Sequence, residues 1–340
     1  MTITGNTSVK EIRRIPELEP VKEYLIAGGG AIRKICMGFK IKQFCGHKST
    51  VSEESVIRGI NRLLEVSKDN RFFKQVYTSD EIDKDPSKKD VNLVFFPAKR
   101  SNENKPYIII CPGGAYKNVF SITEGYPVAA KFNELGYSAF VFTYRVGGKG
   151  LQPKPLDDLA TALQYIKSHA AVFDVYPDNY ILTGFSAGGN LVSLWGTDNH
   201  GYSSYGLAKP VAMFPAYPVI TAKLFSEDSA SDNKILMTML GSTKNIESRA
   251  EYNVDENMSA AYPPCYIVCC EDDDTVKPEN SRLLKRRLDE LGVSVMLEIG
   301  NKGGHGFGEG TGTSVEGWLE RAAAFSQKVS DHPGGKEKLY

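Results

Sequence analysis

Short apolar runs recur along the chain at 91–96, 107–111, 138–143, 179–184, 210–214, 265–270 and 293–299, and between them apolar positions fall at helical spacing. Runs this short, rich in Ile, Val, Phe and Tyr, read as buried strands. Strands that alternate with helices build a mostly parallel, doubly wound sheet flanked by helices, which is the α/β class. The helix expected over 156–173 follows Pro155, carries Leu159, Leu163 and Ile166 on one face, and opens with Asp157 and Asp158 at its positive end. Arg145, just past the 138–143 run, is expected to pair with one of these aspartates rather than to bind substrate.

Two segments lie outside this alternation. Residues 1–70 hold a loose helical pattern over 8–24, the turn Gly28-Gly29-Gly30, and Val56, Ile60, Leu63 and Leu64 at helical spacing after a capping box over 50–53. This helical extension must cover its apolar stripe with the main domain, as a lid near the site, or with a second subunit in a homo-oligomer. The pattern leaves all three open. Residues 221–262 mix Ser, Asp and Asn with the apolar stretch 235–240 and form a candidate cap. One main domain is expected at 71–330, with a polar tail at 331–340.

The sequence Thr-Gly-Phe-Ser-Ala-Gly-Gly at 183–189 sets Ser186 between Gly184 and Gly188, where a strand turns into a helix expected over 187–197. Glycines on both sides let strand and helix pass closely and expose the hydroxyl. The helix aims its free N–H groups and positive dipole end at the reacting oxygen. Such a nucleophile needs a base, an acid to orient the base, and donors for the oxyanion. Of five histidines, His47 and His169 precede Ser186, His200 follows it too closely to leave room for an acid strand, and His332 lies in the polar tail. That leaves His305, in Gly-Gly-His-Gly-Phe at 303–307, on an irregular loop after the 293–299 run.

The acid is expected just past the 265–270 run, in Glu271-Asp272-Asp273-Asp274. Asp273 is favoured, because an acid followed three residues later by Val276 and then by Lys277-Pro278 folds back into the helix expected over 279–291; Asp272 and Asp274 are the alternatives. Four acids in series do not offer the spaced oxygens that Ca²⁺ or Mg²⁺ requires, so no metal site is expected. The glycine turn Cys111-Pro112-Gly113-Gly114-Ala115-Tyr116 supplies the N–H groups of Gly114 and Ala115, which with that of Ala187 could converge on one oxygen. Tyr116 and Phe185 adjoin these groups and are the candidates for the acyl pocket, whereas Trp195, nine residues past Ser186, is expected to pack.

Over about 71–329 the sequence resembles the α/β-hydrolase esterase/lipase family, in particular its small carboxylesterases of acetyl xylan esterase-like and feruloyl esterase-like type, relatives of the prolyl oligopeptidase catalytic domain. The likeness is carried by Pro112-Gly113-Gly114-Ala115-Tyr116, Glu124-Gly125-Tyr126-Pro127-Val128-Ala129, Tyr144-Arg145-Val146-Gly147, Gly184-Phe185-Ser186-Ala187-Gly188-Gly189, the 273–281 segment, His305-Gly306-Phe307 and Glu316-Gly317-Trp318-Leu319. It implies Ser186 as nucleophile, His305 as general base, Asp273 as orienting acid, Gly114, Ala115 and Ala187 as oxyanion donors, and no cofactor. Ala115 departs from the glycine, and Lys277 from the valine or proline, common in relatives. The implied activity is hydrolysis of short-chain carboxylic esters, acetyl esters first. Amide hydrolysis, by a small peptidase or a formamidase, is the alternative enzyme, and a non-catalytic binding protein the alternative outside enzymes. About 70 leading residues cannot hold the propeller of the prolyl oligopeptidases.

Lys+Arg and Asp+Glu are both 41 among 340 residues, so the chain offers none of the basic field that nucleic acid or an anionic membrane demands. A small-molecule ester is the expected partner. No window approaches eighteen consecutive apolar residues, and the first residues lack the charged and apolar regions of a signal peptide, which points to the cytoplasm. The six cysteines, Cys36, Cys45, Cys111, Cys265, Cys269 and Cys270, match no zinc spacing and crowd strand-like runs, as small core residues do. Free thiols fit a reducing compartment.

Overall fold

The computed structural model describes residues 2–45, 51–99, 105–226, 228–243 and 250–331. Eight strands make the main sheet: β1 Phe73–Gln75, β2 Asn92–Phe96, β3 Tyr107–Cys111, β4 Ala139–Thr143, β5 Tyr180–Phe185, β6 Ala212–Ala216, β7 Cys265–Cys270 and β8 Val295–Gly300. Their order across the sheet is β8-β7-β6-β5-β3-β4-β2-β1. β2 runs antiparallel to both neighbours, and every other pairing from β4 to β8 is parallel. All seven runs read from the apolar pattern are strands within one or two residues of the expected bounds. β1 is the exception. It has only three half-buried residues on the sheet edge, too few to leave a pattern.

Strand alternation divides the core into two layers. In β3, Ile108 and Ile110 face one layer while Tyr107, Ile109 and Cys111 face the other. The first layer is closed by helices α1 Glu53–Val66, α2 Tyr126–Glu134 and α7 Trp318–Asp331. The second is closed by α3 Lys154–Ser168, α4 Ala187–Trp195 and α6 Glu279–Glu290. The helix expected over 156–173 begins earlier, at Lys154, and breaks at His169, whose ring Nδ1 lies 2.8 Å from Tyr165 O; a separate turn, Ala170–Phe173, follows. Arg145 pairs with Asp158, as one of the two expected aspartates. The guanidinium Nε lies 2.8 Å from Asp158 Oδ1, and Tyr77 OH donates to the same oxygen at 2.7 Å.

The N-terminal extension packs on the main domain of its own chain. Val56, Ile60 and Leu63 of α1 are buried, and Gly59 lets the helix touch α2 so closely that a Cβ there would lie 2.5 Å from Pro127 N. Arg62 donates to Asn133 Oδ1 at 2.9 Å and to Pro97 O at 2.8 Å, while Ser55 and Arg58 both engage Glu309. Ser52 caps α1 by accepting Ser55 N–H; Thr50, the first residue of the expected capping box, lies outside the described residues, as do His47 and His332. A two-residue strand, Ala27–Gly28, pairs antiparallel with Asn118–Val119, just past the glycine turn after β3. Asn118 Nδ2 clamps this ribbon by donating to Ala27 O and Gly29 O, each at 3.1 Å.

Between β6 and β7 the chain forms helix α5 Ala230–Leu240. Its last turn accepts three backbone bonds from the loop before α3: Gly150 N–H to Met237 O, Leu151 N–H to Thr238 O and Gln152 N–H to Met239 O. Leu236 and Met239 are buried beneath it. Among the described residues no helix is long and apolar enough to cross a membrane.

Candidate active site

β3 and β5 are neighbours, and their ends lie level, with Cys111 paired to Gly184. The chain therefore leaves both strands at one place on the sheet's C-terminal edge, where crevices form in doubly wound sheets. A Cβ on Gly113 would lie 2.5 Å from Phe185 O and 2.9 Å from Ser186 Cβ, and one on Gly188 would lie 1.9 Å from Cys111 O. Neither position admits a side chain, which explains the glycines in both motifs.

Ser186 sits at φ 54° and ψ −115° between β5 and α4. Its N–H donates to Ala216 O at 3.0 Å and its carbonyl accepts Asn190 N–H at 2.9 Å, so the turn is held from both sides. Among the described non-glycine residues, Ala115, Tyr116, Ser186 and Tyr217 share positive φ, with Asp174 the only other. Such conformations cost about 1–3 kcal/mol each and persist only where the surroundings over-determine them. One of the five is the serine itself, and three of the others, Ala115, Tyr116 and Tyr217, lie on the turns around it.

His305 reaches Ser186 from the loop after β8. Its Nε2 lies 2.9 Å from Ser186 Oγ, and its Nδ1 lies 2.7 Å from Asp273 Oδ2. A carboxylate facing Nδ1 keeps the proton there and leaves the Nε2 lone pair toward the serine hydroxyl. Asp273 is fully shielded, and its second oxygen accepts Thr275 N–H and Val276 N–H, both at 2.9 Å. The valine three residues on thus contributes its amide to the acid.

The other three acids of the run have different partners. Glu271 engages Arg282, and Asp274 accepts the Thr275 hydroxyl at 3.3 Å. Asp272 accepts Gly303 N–H at 2.9 Å and Gly304 N–H at 2.7 Å, anchoring the two residues before His305. The carboxylate that faces the imidazole is that of Asp273, whereas Asp272 holds the backbone of the histidine loop. That bond spans about thirty residues and has no local sequence signal.

Gly114 and Ala115 are half-exposed beside the serine, and Ala187 is the first residue of α4, so its N–H has no acceptor within the helix. Tyr116 and Phe185, expected in an acyl pocket, are instead core residues. Tyr116 is 1% exposed, donates to Asn190 Oδ1 at 2.8 Å and packs edge-on to Tyr144. Phe185 is fully buried among Tyr217 and Trp318, because the residue before Ser186 on a strand end points away from it. Trp195 packs as expected, donating to Tyr180 OH at 3.1 Å.

Two residues beside the site carried no assignment from sequence. Glu124 is buried and accepts Gly113 N–H at 2.6 Å and Tyr217 OH at 2.9 Å. Tyr217 in turn accepts Gly308 N–H at 3.1 Å and sets its ring edge-on to His305, with centroids 4.8 Å apart. The available signals were a carboxyl in an otherwise uncharged segment, 118–130, and a tyrosine between two prolines at a strand end.

A sheet of this order, with a strained serine after its fifth strand, an acid after its seventh and a histidine after its eighth, defines the α/β-hydrolase class. The BD-FAE family model matches residues 93–288, more than half of the chain, and the chain belongs to that family. Among curated relatives it is 24% identical to endo-1,4-beta-xylanase B of Butyrivibrio fibrisolvens over 257 residues, covering 73% of this chain and 40% of the relative. It is 28% identical over 208 residues to the acetylxylan esterase of Xylanibacter ruminicola, covering 60% of this chain and 41% of the relative. The chain thus spans about two fifths of these relatives' length. Among solved structures, the acetyl ester-xyloside bifunctional hydrolase of Caldicellulosiruptor lactoaceticus aligns with a TM-score of 0.64 at 27% identity, covering 76% of this chain and 96% of that one.

Proposed function

We propose that the protein is a cofactor-independent serine esterase that removes short acyl groups, acetyl first, from a carbohydrate ester. The observation that carries this reading is the continuous path from Ser186 Oγ to His305 at 2.9 Å and from His305 to Asp273 at 2.7 Å. Ser186 Oγ attacks the ester carbonyl carbon while its proton passes to His305 Nε2. The oxyanion is held by the N–H groups of Gly114, Ala115 and Ala187, each such donor being worth about 100-fold to 1,000-fold in rate. Collapse of the tetrahedral intermediate breaks the C–O bond, and the alcohol leaves with the proton from His305. Water then repeats the sequence on the acyl-enzyme, with His305 as base, and releases the acid. Asp273 holds the imidazole orientation and balances its charge.

The acetyl preference and the carbohydrate alcohol rest on the likeness to an acetylxylan esterase and an acetyl ester-xyloside hydrolase. Tyr116 and Phe185, which lie in the core, lend the acyl preference no support. Helix α5, between β6 and β7, is proposed as the cap of the substrate cleft. The test is a substrate panel: nitrophenyl esters of rising acyl length, acetylated xylo-oligosaccharides, feruloyl esters, N-formylkynurenine and aminoacyl anilides. The reading expects acetyl esters to give the highest kcat/KM, with release of acetate from the acetylated oligosaccharide. Anilide or formamide turnover above every ester would overturn it.

A further inference from the structure

Glu124 is a carboxyl group buried beside the site that the reaction above does not use. It arises from the turn Ser121–Gly125, where Tyr126 N–H donates to Ser121 O, five residues back, a widened turn that recurs at functional sites. A buried carboxylate is costly unless charge or hydrogen bonds offset it. Its Oε2 accepts Gly113 N–H, and its Oε1 accepts the Tyr217 hydroxyl. No lysine or arginine pairs with it among the described residues; the cation that faces it is His305 once protonated. In the serine-esterase reading that cation forms as the serine attacks.

We propose that Glu124 is a second carboxylate of the active site: through Gly113 and Tyr217 it positions the oxyanion turn and the histidine loop against Ser186, and it supplies negative charge to the imidazolium that forms as the serine attacks. The proposal rests on the serine-esterase reading. Three independent segments meet at this one side chain. Gly113 begins the oxyanion turn, Tyr217 follows β6 with φ 38°, and Gly308, three residues past His305, is joined through Tyr217 by donating to its hydroxyl. The Tyr217 ring also packs edge-on to Phe307 at 4.6 Å, so the tyrosine touches the histidine loop both by ring and by hydroxyl.

The polarity of the bonds favours the ionised form. Gly113 N–H and Tyr217 OH both donate to Glu124, one to each oxygen, the pattern that a carboxylate, an acceptor at both oxygens, satisfies. Burial pushes the carboxyl above the usual carboxylate range, while the Gly113 N–H and a charged His305 oppose that shift. The groups facing His305 are Asp273, Tyr217, Ser186 and Glu124; Asp272 is held on the Gly303 and Gly304 amides. Besides His305 and Tyr217, Glu124 faces Tyr144, whose hydroxyl donates to Pro112 O at 2.6 Å. Charge that acts on the imidazolium and not on the resting imidazole stabilises the transition state over the ground state.

The experiment compares Glu124→Gln and Tyr217→Phe with the wild type on 4-nitrophenyl acetate, measuring kcat, KM and the pH profile of kcat/KM. Glu124→Gln keeps the side-chain shape and loses the charge. It is expected to lower kcat by about 10-fold to 100-fold with KM nearly unchanged, and to move the acid limb to lower pH by roughly half a unit, because an imidazolium without neighbouring negative charge loses its proton more readily. Tyr217→Phe keeps the charge and releases the loops, so kcat falls without a shift of the limb. Should Glu124→Gln fail to fold, Tyr217→Phe alone decides, and unchanged kcat there overturns the proposal. A folded Glu124→Gln enzyme with wild-type kcat, or with reduced kcat and an unmoved acid limb, also overturns it. An organophosphonate that labels the wild type and Glu124→Gln alike separates this failure from failure of the serine mechanism, in which the wild type itself is neither labelled nor active.

Discussion

At the scale of single residues, the three neighbouring aspartates have three different tasks, and these set different expectations. Asp273→Asn leaves His305 facing an amide that can present its N–H to Nδ1, so the wrong tautomer is favoured; in a well-studied triad the same change costs about 10,000-fold in turnover. Asp272→Ala removes the acceptor for Gly303 and Gly304 N–H and loosens the loop that carries His305. A loss of about 10-fold to 100-fold is expected there, as for misplaced catalytic groups. Asp274→Asn changes only an exposed contact with Thr275 and is expected to be neutral. Turnover of 4-nitrophenyl acetate by the three variants checks the ranking; collapse in Asp274→Asn with survival of Asp273→Asn would move the acid by one residue. Ser186 and His305 were legible because strained turns and glycine loops restrict residue type locally. Tyr116 and Phe185 were misread because adjacency in sequence says nothing about which face of a strand end a side chain takes, and Glu124, Tyr217 and Asp272 act through bonds between distant segments.

At the scale of elements, the N-terminal extension is bound to the site as well as to the core. Burial of Val56, Ile60 and Leu63 against α2 contributes about 1.5–3 kcal/mol per side chain, a sum comparable with the whole net stability of a domain. The Ala27–Gly28 strand lies on Asn118–Val119, whose Asn118 N–H closes the oxyanion turn by donating to Gly114 O at 3.0 Å. A chain beginning at Arg71 is therefore expected to aggregate or to melt more than 10 °C lower, roughly the shift that several kcal/mol produces, and any soluble fraction should have reduced kcat. Differential scanning calorimetry and esterase assay check both; unchanged melting would make the extension a loose appendage. The stripe on α1 was legible from its period. Its partner was not, because an amphipathic helix records that something covers it and not what.

At the scale of the whole molecule, seven strands and their alternation with helices were readable because strands of a sheet covered by helices on both faces need nearly continuous apolar runs, whether parallel or, like β2, antiparallel. The strand order was not written in those runs. It follows from crossovers that place β4 and β5 on opposite sides of β3, and so bring the turns after β3 and β5 together. Everything proposed for the protein depends on that meeting point having a reactive serine. The most direct measurement is mass spectrometry of the full chain after treatment with a fluorophosphonate, in parallel with 4-nitrophenyl acetate turnover, for the wild type and Ser186→Ala. The account predicts one adduct, on the peptide that contains Ser186, with turnover lost in step with labelling, and neither label nor turnover in Ser186→Ala despite an unchanged melting temperature. Labelling at another residue, or near-wild-type turnover by Ser186→Ala, would contradict it.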